Sequence, residues 1–157
     1  MSTDEPCVLC HCCIQGELLM QRRSKFKDTY PGMWDVSVGG HMTAGDDSLL
    51  TAKKETAEEL GINFNDTDLE FLFTIATSAQ GSTERHGNFN CNEYKDVYML
   101  RYNGGLAEIH FSEGEVEEVR WEPYDQVEQR LTSNDAAYIP RPTDYVTGLF
   151  TAVRDRL

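Results

Sequence analysis

The sequence predicts an α/β fold, a mixed β-sheet with helices on both faces, and three observations predict it. Short β-rich segments recur at 8–14, 17–22, 33–38, 69–77, 93–102 and 116–121. Between and after them the apolar period turns helical, at 47–60 and again near the C-terminus. Strands and hairpins interrupted by amphipathic helices bury their apolar surfaces best as a sheet with helices against it. The 157 residues have the length of one core, so 1–157 is read as a single domain.

The first two segments flank Gln15-Gly16, a tight-turn pair, and read as a hairpin. The first carries Cys7, Cys10, Cys12 and Cys13, and the fifth cysteine is Cys91. Cys7-x-x-Cys10-His11 matches in form a c-type haem attachment or half a zinc site. Haem attachment goes with export, and Met1-Ser-Thr-Asp-Glu has neither the basic nor the apolar region of a secretory signal. A closed zinc site needs a second ligand pair, which the spacing does not offer. The run is therefore read as a buried strand that uses cysteine as a small hydrophobe. The expected compartment is the cytoplasm, and no apolar run reaches the roughly 18 residues of a membrane span.

Pro31-Gly32 leads into the strand 33–38, which ends at Gly39-Gly40. Leu49, Ala52, Thr56 and Leu60 then mark one face of a helix, with Asp47 as N-cap and Gly61 just past the end. The Gly- and Asn-containing stretch 78–92 reads as a flexible loop. Pro123 opens a small helix to about Leu131. Thr143 or Asp144 caps a last helix whose Tyr145, Leu149, Phe150 and Val153 share a face.

The chain holds 27 acidic and 14 basic residues, a net charge of −13. That field repels a nucleic-acid backbone, so general nucleic-acid binding is not expected, while a local basic patch can still hold a small phosphate ligand. The acidity is denser on the helix 47–60, where Glu55, Glu58 and Glu59 are spaced by three and four residues and converge on one side. Such like-charge pairs cost an isolated helix about 0.2–0.5 kcal/mol each. A bound hard cation, which takes oxygen ligands, offsets that cost; a solvated acidic face is the other reading, and the helix alone leaves both open.

The loop before the helix decides between them. Gly40-His-Met-Thr-Ala-Gly45-Asp46 leads to Lys54-Glu55-Thr56-Ala57-Glu58-Glu59-Leu60-Gly61-Ile62. Residues 40–62 together resemble the Nudix box, matching it at Gly40, Glu55, Glu58, Glu59, Gly61 and Ile62. Asp46 stands where the family has glutamate, Lys54 where it has arginine, and Thr56 where it has an aliphatic residue. The lysine keeps the charge of the arginine that is expected to steer a catalytic glutamate, and loses its planar fork. Gln21-Arg22-Arg23-Ser24, Tyr30-Pro31-Gly32-Met33-Trp34-Asp35 and Ser37-Val38-Gly39-Gly40-His41 extend the resemblance to the branch containing isopentenyl-diphosphate isomerases and their hydrolase relatives. Asn92-Glu93, Glu115-Val116 and Trp121 fit that branch more loosely, so the similarity covers roughly residues 14–125.

The resemblance implies a Nudix-type α/β/α sandwich and a hydrolase that cleaves a diphosphate bond in a small organic substrate. It implies Mg²⁺ or Mn²⁺ held by Glu55, Glu58, Glu59 and the Gly40 carbonyl, with Glu58 also among the catalytic acids. Glu93 or Glu115 would take the proton of the attacking water; for Glu115 an ordinary surface carboxylate is an equal reading. Arg23 and Lys27 match the positions that hold the diphosphate. Trp34 and Trp121 are read as core or pocket lining, with core the commoner use of such positions. Isomerisation is the alternative chemistry, yet the cysteine it needs before the Gly-His pair is Gly39 here. A domain that binds a diphosphate ligand without cleaving it is the second alternative.

Overall fold

The computed structural model describes residues 2–85 and 87–156, and the side chains of all of these but 2–5, 79, 89 and 91. Cys91, noted in the sequence, thus has its side chain outside the described residues. Seven strands and three helices follow in the order β1 (Ser2–Ile14), β2 (Glu17–Arg23), β3 (Trp34–Asp35), β4 (Val38–His41), α1 (Ser48–Leu60), β5 (Leu69–Thr83), β6 (Gly87–Arg101), β7 (Val116–Pro123), α2 (Tyr124–Thr132) and α3 (Thr143–Asp155). The sheet is mixed: β1 runs parallel to β6 and antiparallel to β2 and β4, giving the order β3-β2-β1-β6-β5, with β4 on β1 and β7 on β2.

Alternation along β1 explains the cysteine run. Successive side chains of a strand point to opposite faces. Val8, Cys10 and Cys12 pack with Ala52 and Leu60 of α1, while Leu9 packs with Tyr145, Leu149 and Phe150 of α3. Both faces of β1 are therefore covered, and Cys7, Cys10 and Cys12 are buried. His11, on the α3 face, is 1% exposed and meets the Tyr145 hydroxyl at 2.5 Å.

Four expectations are corrected. The stretch 78–92 is not a loop: β5 and β6 pair through Ser78↔Asn92, Gln80↔Asn90 and Thr83↔Gly87. A backbone ladder needs no apolar side chains, and Ser78, Gln80, Ser82, Asn88 and Asn90 are exposed on this arm, so apolar patterning could not reveal it. The strand 33–38 divides in two, because β3 pairs with β2 and β4 with β1. At the break the Ser37 hydroxyl accepts from Cys12 N at 2.9 Å and donates to Leu19 O, standing in for ladder bonds. Leu49 is 36% exposed, and the inward position of the first turn belongs to Thr51, whose hydroxyl donates to Asp47 O at 2.9 Å. At the start of α3 neither Thr143 nor Asp144 caps: Pro142 holds the cap position without a side-chain bond.

The ends of α1 are as read. Asp47 accepts from Leu50 N at 2.8 Å, and Gly61 adopts φ 66° so that its N–H reaches Ala57 O, a left-handed conformation that favours glycine. Trp34 is buried under Arg120, whose guanidinium carbon lies 3.7 Å from the ring centroid. Trp121 stacks on Tyr102, so both tryptophans pack against protein. Among the described residues no helix is long and apolar enough to cross a membrane.

Candidate active site

The strand β4 and helix α1 place the acidic cluster by close backbone approach. A Cβ added to Gly40 would lie 2.4 Å from Glu55 Cδ, so only glycine lets this carboxylate rest against the strand. Glu59, one turn on, accepts from Gln21 Nε2 at 3.1 Å. Burial first, then the Glu55 and Asp35 carboxylates, push the Glu59 carboxyl up to about 8 against the bonds from Gln21 and the Gly39 N–H. Burial and the carboxylates of Glu58 and Glu115 likewise raise Glu55, while His41 acts in the opposite sense. The helix glutamates thus crowd one another as their spacing predicts.

Arg23, Lys27, Gly40, Glu59, Glu93 and Glu115 line one cavity of about 420 Å³. Glu55 and Glu58 are not part of its lining; Glu55 lies behind Gly40, and Glu58 is exposed on the outer side of α1. Lys27 donates to Glu115 at 2.5 Å. Arg23 binds the Thr29 carbonyl and hydroxyl at 3.0 and 3.2 Å. Glu93 is held by Lys95 at 2.8 Å and by His41 at 3.0 Å. A hydrogen bond with Cys7, then one with Glu93, raise the His41 imidazole to about 10, so it is charged at neutral pH.

The sequence reading named neither His41, Cys7, Lys95, Asp35 nor Arg141 as site residues, yet all line the same cavity. Cys7 and His41 are direct cross-strand partners, a register that only the pairing of β1 with β4 reveals. Lys95 follows Glu93 by two on β6, and that period was the available signal. Arg141 arrives from the far end of the chain with no local signature.

Two groups offer metal donors. Cys7, His41 and Glu93 bring donor atoms within 4.8 Å of one another, but His41 and Lys95 already neutralise Glu93. Glu55, Glu58, Glu59 and the Gly40 carbonyl all offer oxygen donors, which suit a hard divalent ion, though the three carboxylates are not gathered within 4.8 Å as the donors of Cys7, His41 and Glu93 are. Glu55 resting against Gly40, with Glu59 one turn on along α1, puts two of these oxygen donors beside the strand, and by donor chemistry the second set fits such an ion.

A NUDIX domain profile matches residues 6–141. The chain is 36% identical over 143 residues to Nudix hydrolase 3 of Arabidopsis thaliana, covering 89% of this chain and 18% of that protein. It is 30% identical over 135 residues to an isopentenyl-diphosphate Delta-isomerase of Frankia alni, covering 84% of this chain and 64% of that protein. The crystal structure of DR0079 from Deinococcus radiodurans superposes with a TM-score of 0.66 at 23% identity, over 91% of this chain and 81% of that one. The chain belongs to the Nudix family. Members of that family generally use divalent metal ions.

Proposed function

We propose that this chain hydrolyses the phosphoric anhydride bond of a small organic diphosphate. The observation that carries the reading is the seat of Glu55 on Gly40, with Glu59 of the same helix lining a cavity that Arg23 and Lys27 also line. Glu55, Glu58, Glu59 and the Gly40 carbonyl would hold Mg²⁺ or Mn²⁺. Such an ion neutralises phosphate charge and lowers the pKa of a bound water.

The remaining roles belong to the chain. Arg23 and Lys27 bind and orient the diphosphate, which turns a bimolecular attack into one within a complex. A water oxygen forms a bond to phosphorus, the bridging P–O bond breaks, and the departing phosphate leaves with the electron pair. Glu115 is the acceptor for the water proton in this reading: its side chain is 51% exposed and, among the described residues of the wall, it is ion-paired with Lys27 alone. Glu93 is clamped between Lys95 and His41 and serves to fix that wall. Isomerisation is disfavoured at Gly39, where even a Cβ would meet Leu9 Cδ2 at 3.1 Å. The test is hydrolysis of a panel of nucleoside and other organic diphosphates with Mg²⁺ or Mn²⁺, by the wild type and by Glu59→Gln.

A further inference from the structure

The cavity wall sets Asp35, Glu59, Glu93 and Glu115 against Arg23, Lys27, Lys95 and Arg141, with His41 beside them, and the pairing among these groups is uneven. Glu93 serves two cations, Lys95 and His41, but His41 is 56% exposed and also acts on the Glu55 carboxylate. Asp35 likewise serves two: Arg141 Nη2 bonds its Oδ1, and Arg23 Nη1 lies 3.8 Å from its Oδ2. Here the surroundings are dry, with side-chain exposures of 12% for Asp35, 11% for Arg141 and 20% for Arg23. Arg23 also binds the neutral oxygens of Thr29. Two guanidiniums share the one Asp35 carboxylate, with Glu93 acting on Arg141 as a further negative charge, and an anion seated between them would complete the hydrogen bonding of both forks.

The backbone builds this pairing deliberately. Trp34 N bonds Ala137 O at 2.8 Å and Ile139 N bonds Trp34 O at 2.9 Å, so the segment before α3 is laced to β3 and Arg141 emerges beside Asp35. Its guanidinium carbon sits 5.7 Å from the Tyr145 ring centroid. Gln21, the cross-strand partner of Asp35, binds Glu59. The guanidinium pair is therefore one side chain away from the acidic cluster, a short span for a ligand bearing two adjacent phosphoryl groups.

From this geometry we propose that Arg141 and Arg23 form a clamp for the phosphoryl group remote from the helix carboxylates, with Asp35 as the positioning residue that fixes both guanidiniums. The proposal rests on the reading of the cavity as a diphosphate site, not on cleavage. Each guanidinium offers a planar fork to non-bridging oxygens, and the C-terminal segment thereby supplies a ligand contact that the Nudix box does not contain.

The probe is methylenediphosphonate, which carries two phosphoryl groups and no anhydride bond to cleave, titrated calorimetrically into protein with saturating Mg²⁺. Arg141→Gln is expected to weaken its binding about tenfold or more, and Arg141→Lys by an intermediate factor, since a lysine keeps the charge without the fork. Affinity for Mn²⁺ alone is expected to stay within about twofold, a readout that general damage to the site would move. A wild type that does not bind the probe, or a folded Arg141→Gln that binds it like the wild type, overturns the proposal. So does a parallel loss of Mn²⁺ affinity. If Arg141→Gln does not fold, Arg141→Lys decides, and unchanged probe affinity in that variant overturns the clamp. A wild type that binds the probe through Arg141 but cleaves no diphosphate leaves the clamp standing and removes the hydrolase reading.

Discussion

Lys54 Nζ lies 2.7 Å from Asp46 Oδ2, so two positions at which this Nudix box departs from its family pattern are partners of each other. The ammonium is spent on Asp46, and Glu58 acts on it only as a further nearby charge. Lys54 thus holds the loop to the helix and does not grip a helix glutamate.

Lys54→Arg should raise turnover by a factor of about two to ten, because a guanidinium can keep Asp46 on one edge and offer its other edge to Glu58. The comparison is kcat at saturating metal and substrate. An unchanged or lower kcat would show that Glu58 needs no such support.

Gly40→Ala should lower turnover by about a hundredfold and weaken Mn²⁺ binding, while the melting temperature of the metal-free protein moves little. The added methyl would displace Glu55, whose Cδ it would meet at 2.4 Å, and loss of a stabilising charge group typically costs about 10²–10³ in rate. Kinetics and Mn²⁺ titration check it. Normal metal affinity in this variant would separate Glu55 from the metal site.

His11 should contribute to the acid limb of stability. Burial first, then the Arg141 guanidinium, lower its pKa from 6.5 to about 3. The unfolded chain therefore binds more protons than the folded one between those values. The associated stability is present above pH 6.5 and is lost as pH falls toward 3, a change on the order of a few kcal/mol. His11→Gln, which keeps a polar partner for Tyr145 and removes the titration, should flatten urea-unfolding free energy between pH 6.5 and 4. A variant as pH-sensitive as the wild type would assign the acid limb to other groups.

The extent to which the sequence revealed this molecule follows from where information is local. The ends of α1 were legible because capping is a property of neighbouring residues, whereas helical spacing put Glu55, Glu58 and Glu59 on one side and of these only Glu59 lines the cavity. The hairpin arm at 78–92 was not legible, since exposed Ser, Gln and Asn carry no apolar period although their backbone forms a full ladder. Asp35 and Arg141 stand 106 positions apart, and only the lacing of the segment 137–139 to β3 brings them together.

Isopentenyl diphosphate should not be converted to its allylic isomer. Gly39 has no proton to give and Leu9 fills the space beside it. Proton NMR of the diphosphate incubated with Mg²⁺ or Mn²⁺ and purified protein checks this, and appearance of the isomer would reinstate the alternative chemistry.

The most direct measurement is ³¹P NMR of organic diphosphates incubated with Mg²⁺ and either the wild type or Glu59→Gln. The wild type should convert at least one diphosphate to two phosphate-bearing or phosphate products, only with the divalent ion present. Glu59→Gln should do so at least about a hundredfold more slowly while remaining folded, because it removes a charge that acts in the transition state. A metal-saturated wild type that is stabilised by a diphosphate ligand in a concentration-dependent way and cleaves none of the panel would contradict hydrolysis and leave a binding domain.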